Sequence, residues 1–192
     1  MATTKKKQSN YSTLHDLLIL KLKALHYTES ELMKALPKMA KAASDTQLKQ
    51  AFTTHLDETR VQKDRLAQAL GMLGATGKMM EKSAAIDGLI EDAAWCIANI
   101  KDAEARDASL IAAAQYIEHY EMAGYGSAKA WAEEMGHREV VDLLQETLDE
   151  ESAANDKLTT LAESGINDEA NDMHEEGSLV EKVKDTIESA VR

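Results

Sequence analysis

The stretch "QYIEHYEMAGYG", residues 115–126, decides how this chain is read. It lies inside a long helical pattern and places Glu118 and Glu121 three residues apart, on the side that carries the apolar stripe. Two like charges on one inward face repel each other, and both must give up their water. An aliphatic core has no use for them. The helix that holds them spans about residues 104–135, with the stripe Ile111, Ala114, Glu118, Glu121, Tyr125, Ala128 and Ala132.

Other segments repeat this pattern. A first long helix is expected from residue 12 or 13 to about 43, with Leu18, Leu22, Leu25, Glu29, Leu32, Leu36 and Met39 on one face. Pro37 removes a hydrogen bond inside it and predicts a kink. "SDTQ", residues 44–47, reads as a capping box that opens a second helix, with Ser44 as the cap. That helix carries Leu48, Phe52, His55, Thr59, Gln62, Leu66, Ala69 and Leu73, and the glycines at 71, 74 and 77 end it. A shorter helix follows over about 83–100. After Gly136 a last long helix covers about 137–163, with Val140, Leu144, Thr147, Glu151, Ala154 and Leu158 turned inward.

Each long pair is joined by a very short link and is therefore an antiparallel hairpin, while the stretch between the pairs is long enough to cross the bundle. The expected fold is all-α, a ferritin-like four-helix bundle over residues 12–163 with a short extra helix in its crossover. Residues 1–11, with Lys5, Lys6 and Lys7, read as a disordered basic tail. Residues 164–192 read as an acidic linker and a short amphipathic helix repeating Leu179, Val183, Ile187 and Ala190.

Composition narrows the function. The net charge of −12 disfavours nucleic acid as a partner through phosphate repulsion. Cys96 is the single cysteine, so an internal disulfide and a thiolate zinc site are both excluded, and its apolar neighbours predict an inert buried thiol. Charges recur too often in "LHDLLILKLKALHY", residues 14–27, for a membrane span. A reducing cytoplasm fits these features.

The inward polar residues also agree in height. Glu29 stands 15 residues before Ser44 and Glu58 stands 13 after Asp45. Glu121 and Glu151 each stand 15 residues from Gly136. At about 1.5 Å per residue all are roughly 20–22 Å from their turns, so each long helix is expected to bring a carboxylate to one level. His55 lies one turn before Glu58. A pair of divalent cations neutralises such a cluster directly, and an oxygen-rich set with one imidazole suits iron or manganese.

"ALPKMAKAAS" (35–44), "HLDET" (55–59), "SLIAAAQYIEHYEMAGYG" (109–126) and "LLQETLDEE" (143–151) resemble the corresponding segments of the YciF-like bacterial stress-protein family, within the ferritin-like superfamily. The resemblance covers about residues 12–163 and implies a dimer with a rubrerythrin-like di-iron site. It brings no defined reaction. In the rubrerythrin pattern Glu29 corresponds to the glutamate of the first helix, Glu58 to that of the second, Glu118 and Glu121 to those of the third, and Glu151 to that of the fourth. The pattern's histidines three residues after Glu58 and Glu151 are replaced by Val61 and Ala154, and His55 stands in for one of them. His119 points about 100° away from its neighbours and is not a ligand.

The metal set expected from sequence is thus Glu29, His55, Glu58, Glu118, Glu121 and Glu151, holding two iron ions or manganese. Tyr125, one turn beyond Glu121, is the expected catalytic side chain, as hydrogen-bond donor or local electron donor. The function expected is a reaction with dioxygen or hydrogen peroxide, with ferrous iron oxidised. The alternative is a non-catalytic, stress-induced interaction module that meets a protein partner through the C-terminal helix.

Overall fold

The computed structural model describes residues 11–171, apart from Thr76 and Met79. The basic tail and the amphipathic segment at 179–190 lie outside the described residues. Within them the chain forms helices α1 (Leu14–Ala42), α2 (Thr46–Met72), α3 (Ala84–Asn99), α4 (Ala103–Glu134) and α5 (Arg138–Leu161).

Local chemistry sets the ends. Thr13 caps α1 in a reciprocal box with Asp16, whose carboxylate takes the backbone N–H of Thr13 at 3.0 Å. The helix runs on through Pro37 without interruption. The cap of α2 is Asp45 rather than Ser44, its carboxylate accepting from Leu48 N–H at 2.7 Å. The reason is tertiary. The backbone N–H groups of Ser44 and Asp45 donate to the buried carboxylate of Asp107 on α4, the latter at 2.6 Å. Arg106 adds a hydrogen bond from its Nε to the carbonyl of Ala42 at 3.1 Å. The α1–α2 turn is thus clamped onto the start of α4.

Helices α1 and α2 pair, as do α4 and α5, and the hairpins meet through α2 against α5 and α1 against α4. α3 lies in the crossover and packs on α4 and α1. This is the ferritin-like helical bundle. α1 and α4 approach closely at Gly124, where a Cβ would stand 2.8 Å from Leu25 Cδ2. Gly136 turns α4 into α5 with φ +75°, a conformation in which side chains are strained.

Beyond Leu161 the helix opens into a π-helical turn, Ala162–Ile166, kinks at Gly165, and continues helical to residue 171. Ile166 is buried against the core, so residues 164–171 belong to the folded body rather than to a linker. Cys96 is half-buried rather than buried, and the hydroxyl of Ser109 donates to its sulfur at 3.0 Å.

Two aliphatic clusters fill the bundle. One, near the α1–α2 turn, holds Leu36, Met39, Leu48, Phe52, Leu110 and Leu158. The other, near Gly136, holds Leu18, Leu22, Leu66, Leu70, Tyr125 and Leu144. Between them lies a buried polar layer of Thr28, Glu29, His55, Thr59, Gln62, Glu118, Glu121, Thr147 and Glu151.

Candidate metal centre

Each of the four long helices contributes to this layer because its stripe keeps one spacing through apolar and polar residues alike. α1 gives Glu29, α4 gives Glu118 and Glu121, and α5 gives Glu151, each at most 3% exposed. α2 contributes the imidazole of His55. One ligating atom from each of His55, Glu118, Glu121 and Glu151 lies within 4.8 Å of all the others. Nε2 of His55 is 3.4 Å from Glu118 Oε1 and 3.7 Å from Glu151 Oε2. Glu58 stands at the rim, half-exposed, with Oε2 3.3 Å from His55 Nδ1. Glu29 adjoins the four and accepts a hydrogen bond from the hydroxyl of Tyr125, which is itself fully buried. Val61 is exposed, and Ala154 is half-buried beside the cluster.

The hydrogen-bond inventory of the layer is one-sided. The hydroxyls of Thr28, Thr59 and Thr147 each donate back to a carbonyl of their own helix, and Tyr125 is committed to Glu29. Left without any hydrogen-bond partner are both oxygens of Glu121, both of Glu151, one each of Glu29 and Glu118, and His55 Nε2. Gln62 belongs with them, although its role was not anticipated. Its Nε2 donates to Glu150 Oε2 at 3.1 Å, and Arg65 binds the same carboxylate at 2.6 Å. A carboxylate can only accept, so the amide carbonyl of Gln62 faces away from it, and that buried Oε1 has no donor. Buried acceptors without donors are costly and call for an explanation.

The titration behaviour tells the same story. Burial raises Glu29 to about 7 despite the Tyr125 hydrogen bond, and raises Glu118 to about 8 despite contact with Glu151. Glu121 and Glu151 are held well above the carboxylate range, first by burial and then by neighbouring charge: from Glu29 on Glu121, and from Glu118 on Glu151 against a lowering by His55. Burial alone would lower His55, but the Glu58 hydrogen bond and the charges of Glu151 and Glu29 outweigh it and raise the imidazole. Without a cation, Glu29 with Glu121 and Glu118 with Glu151 must share protons. Cations satisfy the same oxygens without them. The donor set, three or four carboxylates and one imidazole, fits iron or manganese.

Comparison with known proteins agrees with this fold. Residues 13–171 match the family described as "Domain of unknown function (DUF892)". The chain is 42% identical to protein YciF of Escherichia coli (strain K12) over 161 residues, covering 84% of this chain and 97% of that protein. The crystal structure of the E. coli stress protein YciF superposes with a TM-score of 0.78, covering 81% of this chain and 98% of the other. YcfI from Rhodopseudomonas palustris is 43% identical and superposes with a TM-score of 0.77, covering 80% of this chain and 97% of that one.

Proposed function

This chain belongs to the DUF892 family, with the stress protein YciF among its relatives, and from that premise we propose that it is a di-metal carboxylate protein that holds two iron ions and reacts with dioxygen or hydrogen peroxide. The observation that carries the reading is the buried layer of acceptors at one level of the bundle, whose own donors are already committed elsewhere.

His55, Glu118, Glu121 and Glu151 would hold the ions, with Glu29 completing the set. When bound, two iron ions supply redox chemistry and Lewis acidity toward an oxygen substrate. Glu58 holds the Nδ1 side of His55 and so directs Nε2 inward, the usual service of a carboxylate behind a ligating histidine. Tyr125 keeps its proton on the Glu29 side and fixes that carboxylate's orientation. The aliphatic clusters bound the layer above and below. Manganese suits the same donors.

Anaerobic loading with ferrous iron followed by elemental analysis tests this. About two metals per chain are expected. Glu118→Ala and Glu121→Ala should abolish both the uptake and the rapid oxidation by peroxide while far-UV circular dichroism stays helical. Uptake below about a tenth of that stoichiometry sinks the reading.

The proposal extends to a homodimer in the cytoplasm, checked by sedimentation equilibrium and fractionation. Among the described residues no helix is long and apolar enough to cross a membrane.

A further inference from the structure

The seam between α2 and α5 is open. A cavity of about 480 Å³ runs along it and ends on His55 and Glu118. Its walls are apolar, formed by Ala51 and Phe52 on α2 and by Ala154 and Leu158 on α5. The same lining includes His55 and Glu118 of the candidate metal centre, both over nine-tenths buried. Dioxygen or hydrogen peroxide does not need this room, since a water occupies roughly 30 Å³. Cavities of roughly 300–1,000 Å³ are those that take small organic molecules. The opening persists because Ala154, three residues after Glu151, is too small to fill it.

We propose that this groove binds an organic hydroperoxide, its apolar body against Phe52 and Leu158 and its peroxide head toward His55 and Glu118 of the metal centre. The head group follows from the lining. Glu58, Glu118 and Glu150 face one lysine, Lys157, which disfavours an anion. Arg65 already engages Glu150, and His55 engages Glu58, so neither rim carboxylate is left for a cationic head. A neutral hydroxylic head meets neither objection. The inference rests on the di-metal reading for its chemistry. The O–O bond breaks, two protons are taken up, and the products are the alcohol and water. The two electrons would come from the two ferrous ions that the centre would hold, one from each, leaving both ferric.

Two measurements separate the groove from the metal. Cumyl alcohol, the unreactive product of cumene hydroperoxide reduction, is titrated into the protein stripped of metal and followed by ligand-observed NMR. Saturable binding is expected, weakened about tenfold or more by Ala154→Phe and, on the opposite wall, by Ala51→Leu. In the ferrous protein, stopped-flow oxidation should show the rate ratio of cumene hydroperoxide to hydrogen peroxide falling about tenfold in the same variants, with iron content retained. Absence of saturable alcohol binding overturns the inference, as does binding or a rate ratio that survives both variants. A parent chain that takes up no iron fails the di-metal reading alone, and alcohol binding still decides the groove.

Discussion

The polar layer and the two aliphatic clusters that enclose it are built from the same helices and the same stripes, yet they behave as opposite materials. The cluster around Leu18, Leu22 and Leu70 is complete in itself: its side chains are fully buried, and nothing but packing is asked of them. The layer around Glu121 and Glu151 is equally buried and incomplete, since its oxygens face one another with no donors. A core that satisfies itself serves stability, whereas one that cannot has been built around something else.

Mutations on the two sides should therefore differ in sign. Leu22→Ala leaves a cavity beside fully buried neighbours and should cost about 3 kcal/mol, with or without metal, in urea titrations. Equal midpoints for variant and parent would contradict the packing described. Asp107→Ala removes the carboxylate that receives the N–H groups of Ser44 and Asp45, and should cost about 2 kcal/mol. Hydrogen exchange at those two amides should rise with it.

Within the layer the direction reverses. Glu121→Leu replaces two orphaned oxygens with apolar surface and should stabilise the protein stripped of metal by about 1 kcal/mol while abolishing metal uptake. Destabilisation comparable to Leu22→Ala would mean the layer is an ordinary core.

The smallest effect is a slope with pH. Burial raises Glu29 to about 7 and Glu118 to about 8, from the ordinary glutamate value of 4.5. The folded state therefore binds their protons more tightly than the unfolded state does, and stability present below the unfolded pKa is lost as pH rises through the folded one. Stripped of metal, the chain should be more stable at about pH 5.5 than at about pH 8.5 by urea titration, and bound metal should flatten that difference. A metal-stripped protein whose stability rises over this range would refute the buried-carboxylate account.

Much of this was legible beforehand because it is local. The spacing Leu22, Leu25, Glu29, Leu32 marks Glu29 as inward whatever packs against it, and helix rise alone brings Glu29, Glu121 and Glu151 to one height. The resemblance carried by "HLDET" and "LLQETLDEE" holds, and the ferritin-like bundle follows from connection lengths. Departures occur where a second helix intervenes. Asp45 rather than Ser44 caps α2 because Asp107 has already taken the turn's N–H groups. Ile166 extends the folded body because an apolar site on the bundle awaits it. The rise of α2 puts Glu58 at the right height, but the inward stripe runs through His55 and Thr59, and Glu58 beside it stands at the rim with its carboxylate on His55 Nδ1.

The sequence by itself determined that this chain is a helical bundle with carboxylates at one level, because both properties depend on spacing along a single helix. Only the tertiary structure decided that Gln62 presents an orphaned carbonyl, that Tyr125 bonds Glu29, and that the α2–α5 seam stays open above His55 and Glu118. Those are contacts and gaps between helices, and they depend on how each helix is rotated about its axis when it packs. That rotation is set by all the surrounding side chains at once and by no short stretch of sequence.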